Sequence, residues 1–196
     1  MKNDFSSTKE KAEKIITTND SGAIKMLLNE LNGNNEQVCL LSAEVLYQVG
    51  IKAPELIAND VQIFTNRLKV NSLRLRLKCM DILLTIVQLQ HKSIWLNLYE
   101  MSDYLVDDSE ELLDKLATLL HILSSYSEYR KDCIYTLLAM LEVCSLDKVA
   151  TYAEYLKIEF MVPNAQNMLK KTLLKHYDVV NPDQQKRISN ILGKLE

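Results

Sequence analysis

The sequence predicts an all-α chain: a right-handed α-solenoid of stacked helical hairpins forming one domain, residues 1–196. Three observations predict it. Only 4 Gly and 3 Pro occur in 196 residues, far below ordinary usage, so few points force a helix to stop. Apolar residues recur at i, i+3, i+4 and i+7 along most of the chain, the spacing that lines one face of a helix. Five preferred helix-capping residues stand at Asn34, Asn71, Asp108, Ser145 and Asn181, in steps of 37, 37, 37 and 36 residues, so one hairpin recurs. With 47% hydrophobic and 25% charged residues, the composition is that of a globular chain that buries a core. Disordered, collagenous and disulfide-rich classes are excluded.

Taken in order, Ser6 or Ser7 caps a first helix through TKEKAEKII, an N-terminal capping helix within residues 1–19. It ends in the polar run TTNDSG. A second helix, AIKMLLNEL, gathers Leu27, Leu28 and Leu31 on one side and is followed by Gly33, where a left-handed C-terminal cap belongs. The third carries the stripe Val38, Leu41, Ser42, Val45, Leu46 and Val49 and ends at Gly50. Pro54 suits a first helical position. The spacing of Leu56, Ile57, Val61, Phe64 and Leu68 then predicts one continuous helix to about Val70. After Asn71 comes LRLRLKCMDILLTIVQL, whose first five residues alternate like a strand but continue into a helical stripe. A helix from Ser93 to Leu105 follows, with a core stripe of Ile94, Leu98, Met101 and Leu105 and with Trp95 and Tyr99 beside it. Another runs from Ser109 to Leu123, and four more complete the chain.

The apolar register repeats with the caps. Four residues after each stand Val38, Leu75, Leu112, Val149 and, as an exception, Gln185; eight after, Ser42, Cys79, Leu116, Ala153 and Ser189; eleven after, Val45, Ile82, Leu119, Leu156 and Leu192. Small residues in the middle column let neighbouring helices approach, and large ones fill the layer between hairpins. The first helices end in step at Leu31, Leu68, Leu105 and Leu141. A two-helix unit of about 37 residues with this pattern resembles the HEAT and armadillo repeat families over residues 20–196, as about four and a half to five hairpins. The tetratricopeptide pattern, of period about 34, is absent. The HEAT arginine appears only as Arg76, with Cys39, Leu113 and Ala150 in its place elsewhere, which marks a divergent member.

That resemblance implies a non-catalytic scaffold or adaptor that presents the face of its second helices to a protein partner. The register puts Gln37, Leu40, Glu44, Leu77 and Thr118 on that face, and nominates Arg74, Asp81, Glu111, Asp114, Lys148, Thr151, Tyr155, Gln184 and Arg187 as its partner-binding residues; Ile191 falls in the same register. The alternative lies in charge. The chain is net −3 with pI about 5.7, but residues 67–92 carry +5 and residues 93–166 carry −8. Arg67, Lys69, Arg74, Arg76 and Lys78 could meet phosphate, which would support nucleic-acid binding or a glycosylase of HEAT-like fold. The acidic run Asp107, Asp108, Glu110, Glu111 and Asp114 is placed to neutralise them internally, and bulk charge argues against nucleic acid.

No catalytic, cofactor or metal site is nominated. His91, His121 and His176 are scattered and none precedes a Glu, so the iron site of HEAT-repeat deoxyhypusine hydroxylases has no ligands. No P-loop, GxGxxG or GxSxG occurs. Asp103 beside Tyr104, and Cys133 near Tyr135, make no catalytic arrangement. Cys39, Cys79, Cys133 and Cys144 sit among apolar residues without a CxxC pair and read as reduced core thiols. No signal peptide or run of 18 apolar residues is present, so a cytoplasmic protein without a membrane anchor is expected.

Overall fold

A computed structural model describes the backbone of residues 2–99 and 109–195, and side chains over 7–98 and 109–195. Among these residues the regular structure is helical, with ten α-helices and short 3-10 turns and no strand. Asp108 as a cap, the Leu105 helix end, Met101, Asp103, Tyr104, Asp107 and the Tyr99 side chain lie outside the described residues. The chain divides into two compact units, residues 1–116 and 117–196.

In the first unit α1 (Lys2–Thr18) is followed by α2 (Ser21–Leu31) and α3 (Glu36–Lys52). Asn19 is left-handed, with φ 49°, and the Asp20 amide donates to the Ile15 carbonyl at 3.1 Å. That is the bond that closes a helix whose last position turns left-handed, a conformation Asn tolerates. Gly33 makes no such turn, because no glycine has positive φ; α2 ends through Asn32 in a right-handed conformation. Nor does Gly50 end α3, which runs on to Lys52. Gly50 is the point where α3 meets the next second helix, since a Cβ there would stand 2.2 Å from the Thr85 hydroxyl oxygen.

The predicted helix from Pro54 to Val70 is instead broken into 3-10 turns at Pro54–Leu56, Ala58–Asp60 and Arg67–Lys69 around a short α4 (Val61–Asn66). Asn59 and Asp60 prefer local turn geometry to a helix interior. Of its apolar stripe Ile57, Val61, Phe64 and Leu68 are nevertheless buried, while Leu56 is half-buried. LRLRL opens α5 (Leu73–Tyr99), which breaks at Gln90 (φ −131°, ψ 30°). Two helices thus follow one another there without a loop, close to the predicted boundary. α6 (Glu110–Leu123) crosses the division between the units.

The second unit adds α7 (Arg130–Val143), α8 (Val149–Tyr155), α9 (Pro163–Tyr177) and α10 (Pro182–Leu192). First helices pack on their own second helices, as α2 on α3 and α4 on α5 in the first unit and α7 on α8 and α9 on α10 in the second. Second helices also pack on second helices, as α3 on α5 and α8 on α10, and α7 packs on α9. This is the stacking that lets hairpins share a core. Leu31, Leu68 and Leu141, the ends of first helices, are fully buried.

Three caps fall one residue later than the sequence placed them. The Asn35 side chain accepts from the Gln37 and Val38 amides, and Ser72 and Ser109 accept from Leu75 and Leu112 at 3.3 Å each. Asn181 caps α10 as expected. The last hairpin is therefore out of register by one. Gln184, Ile188 and Ile191 are its buried residues, while Gln185 and Leu192 are half-buried and Ser189 is exposed. Counted from the true caps the three columns end in Gln184, Ile188 and Ile191, all buried, so the exception in the first column is a buried amide rather than a surface one.

Candidate functional site

The second helices carry a row of polar side chains, and the fold joins many of them to residues about one repeat away. In the first unit Lys78 of α5 binds Glu44 of α3 at 2.8 Å and approaches Asp81 at 3.7 Å; Asp81 in turn binds Lys115 of α6 at 2.6 Å. Lys78 also lies 4.5 Å from the centre of the Tyr47 ring. Burial raises the Glu44 pKa, but hydrogen bonds from Lys78 and Gln48 outweigh it and hold the carboxyl below its ordinary value. Of these four charges the register assigned Glu44 and Asp81 to the second-helix face, and the structure pairs both with lysines of neighbouring repeats.

The second unit shows the same habit with other chemistry. Arg187 of α10 binds the Glu154 carboxylate at 2.6 Å and the Thr151 hydroxyl at 3.0 Å. The Arg187 hydrogen bond lowers the Glu154 pKa against the opposing effect of burial. The Tyr155 hydroxyl lies 3.2 Å from Thr118, and its ring stacks on His121 with centroids 5.1 Å apart. His121 Nδ1 lies 2.6 Å from the Tyr155 carbonyl oxygen, so that nitrogen donates the bond. Tyr155 is thereby fixed by α6 from two sides.

Gln184 departs from its nomination as an outward residue. It is buried, because α10 starts one position earlier in register than the other second helices. Its Oε1 accepts from the Ala150 amide at 2.8 Å and its Nε2 donates to the Asp147 carbonyl at 2.9 Å. The N-cap residue Lys148 makes no side-chain capping bond, and Gln184 of the next hairpin accepts from the first turn of α8. Ile191 is buried as well. Arg74 and Glu111 are exposed; Asp114, Lys148, Thr151, Tyr155 and Arg187 are half-buried.

Arg67 of the basic segment is likewise turned inward. Its Nε donates to the Leu31 carbonyl at 2.6 Å and its Nη2 to the Leu31 and Gly33 carbonyls. The guanidinium thus closes the C-terminus of α2, where the sequence had placed a glycine cap. Sequence reasoning missed this; the signal available was the separation of Arg67 from Leu31 by 36 residues, one period. Lys78 is held by Glu44 and Asp81, carboxylates outside the acidic run nominated to neutralise it. Arg74 and Lys69 are exposed and Arg76 is half-buried.

The four cysteines are free thiols, and burial pushes Cys79 and Cys133 up to about 12, which makes them poor nucleophiles. Trp95 is half-buried beside the buried Ile94 and Leu98. Among the described residues no group of three or more His, Cys, Asp or Glu is placed to hold a metal ion, and no helix is long and apolar enough to cross a membrane.

The lowered carboxyls have a sign. A carboxyl whose folded pKa lies below its unfolded value adds stability that is present above the unfolded value and lost as pH falls through the folded one. The melting temperature is expected to drop on acidification below about pH 4.5, the ordinary carboxyl value. Thermal melts at a series of pH values check this, and Glu44→Gln should flatten the profile.

No family model matches the chain, and no curated protein does. Solved structures do. A designed armadillo repeat protein in complex with the peptide (KR)4 aligns with a TM-score of 0.71 at 16% identity, over 99% of this chain and 89% of that one. A computationally designed armadillo repeat protein for modular peptide recognition gives 0.71 at 16% identity, over 97% and 90%. A third designed armadillo repeat protein gives 0.66 at 16% identity, over 96% and 87%. At this identity the likeness establishes the fold, an all-α armadillo-like helical-repeat solenoid.

Proposed function

We propose that the chain is a non-catalytic interaction scaffold whose second-helix face takes an extended segment of a protein partner. The observation that carries this reading is the fold likeness, over 99% of the chain, to a designed protein seen with a peptide bound. A repeat array offers long, shallow surfaces that suit extended chains. Exposed Arg74 and Glu111, together with Asp81 and Asp114, are the contacts in the first unit. Lys148, Thr151, Tyr155 and Arg187 are those in the second, with Tyr155 the rigid aromatic anchor.

Capture of partners from the native host, identified by mass spectrometry, supplies the ligand. The charge reversals Arg74→Glu and Glu111→Lys are then expected to weaken binding about tenfold, or 1.4 kcal/mol. The melt should move little, because exposed substitutions stay within about 0.5 kcal/mol. A partner whose affinity ignores both reversals and Tyr155→Ala binds elsewhere, and the face is then misassigned.

A further inference from the structure

We propose that the edge of the second unit where α7 and α9 end is a docking surface for an extended protein segment that carries both cationic and aliphatic side chains. It lies outside the second-helix face and goes beyond the reading above. Residues 142–147 read EVCSLD and residues 178–183 read DVVNPD, so a carboxylate, a valine and a second carboxylate recur 36 residues apart. The fold sets these two turns side by side. α7 packs on α9, and Gln184, next to Asp183, donates to the Asp147 carbonyl at 2.9 Å.

Helix electrostatics account for only half of the pattern. Asp147 and Asp183 stand at the starts of α8 and α10, where the helix dipole favours an anion. Glu142 and Asp178 stand at the opposite pole, in the last turn of α7 and at the C-cap of α9, where free carbonyls already concentrate negative charge. α7 has no base in its last turn, while α9 has Lys175 and the buried His176. Elsewhere the chain answers such carbonyls with its own arginines, Arg67 at the end of α2 and Arg130 on the Ser124 and Ser125 carbonyls just beyond α6. No ion pair or side-chain hydrogen bond among the described residues engages the four carboxylates.

The side chains beside them are apolar and open. Val143 is 83% exposed, Val179 61% and Leu146 46%. Aliphatic groups gathered in water and rimmed by charge add nothing to the fold and mark an interaction surface. The matching turns of the first unit, LNGNN at 31–35 and LKVNS at 68–72, hold no carboxylate, and Val70 is half-buried there. The combination belongs to the second unit.

Charge decides the occupant. Residues 142–147 and 178–183 hold four carboxylates and no base, and they are not grouped as metal ligands. A lysine or arginine arriving from a partner meets a carboxylate and the negative end of a helix together, and an aliphatic neighbour covers the valines. Packed helices lie about 8 to 10 Å apart, which an extended chain spans in three residues at about 3.3 Å each. The fitting segment therefore has cations at i and i+3 with an aliphatic residue between them.

The test uses the full chain and three labelled peptides, (KLS)3, (KSS)3 and (ELS)3, in fluorescence anisotropy at low and physiological salt. The wild type is expected to bind (KLS)3 at least about tenfold more tightly than (ELS)3 and about threefold more tightly than (KSS)3, with affinity falling as salt rises. Glu142→Gln combined with Asp178→Asn should lose about tenfold for (KLS)3, and Val143→Ser combined with Val179→Ser should abolish its advantage over (KSS)3. All four side chains are exposed, so the melt should hold. Tyr155→Ala should leave (KLS)3 binding unchanged. Absence of (KLS)3 binding, equal affinity for (ELS)3, or a Glu142→Gln, Asp178→Asn variant that binds like the wild type overturns this edge and leaves the second-helix face untouched. Loss of (KLS)3 binding in Tyr155→Ala overturns the edge in favour of that face.

Discussion

Leu119→Ala is expected to destabilise the protein by about 2 to 5 kcal/mol, read as a fall in the denaturant midpoint at unchanged slope. Leu119 lies on α6 with no exposed surface, in the column that also holds Val45, Ile82, Leu156 and, in the corrected register, Ile191, all buried. Truncation removes transfer free energy and leaves a cavity, because neighbours in a stacked core move in only partly. An unaltered melt would mean that this column does not face the shared interior. The alanine exchange at Thr118, half-buried one position before it, should cost far less.

The second large effect is expected at Arg67. Arg67→Ala removes a guanidinium that donates to the Leu31 and Gly33 carbonyls and leaves the end of α2 without that donor. Charge-assisted bonds contribute about 1.5 to 3 kcal/mol each, so a loss of roughly 2 to 4 kcal/mol is expected. Arg67→Lys should recover only part, since an ammonium does not reproduce the fork that reaches two carbonyls. If Arg67 acted instead as a phosphate contact, the alanine variant would keep its melt and lose nucleic-acid affinity in a salt-dependent gel shift. The two outcomes do not overlap.

What the sequence made legible follows from what periodicity encodes. Burial of Ile82, Leu83 and Ile86, or of Leu137, Leu138 and Leu141, is written in helical spacing, and the period of 37 in the caps. The exact caps were legible only to one residue, because Asn34 and Asn35, or Asn71 and Ser72, are adjacent and equally able to cap; tertiary packing chose the second of each pair. The breakup of Pro54–Lys69 was hidden because a 3-10 turn and an α-helix bury nearly the same stripe. The fates of Arg67, Lys78 and Gln184 were hidden for another reason. Their partners in the preceding hairpin lie 34 to 37 residues away, and no local pattern says whether an outward-facing polar residue meets solvent or another hairpin. That distinction is also what separates a contact residue from a structural one on the candidate face.

The cap that Gln184 supplies to α8 fixes how such a chain can change in length. The amide belongs to one hairpin and the helix end it satisfies to the one before, so the unit that a duplication or loss has to keep intact is the seam between hairpins. A chain shortened after Tyr177 would keep every residue of α8 and still expose the Ala150 amide, whereas an inserted hairpin would survive only if it brought its own acceptor to that place. Growth by whole periods is therefore constrained by polar stitching at each joint as strictly as by the apolar filling between layers.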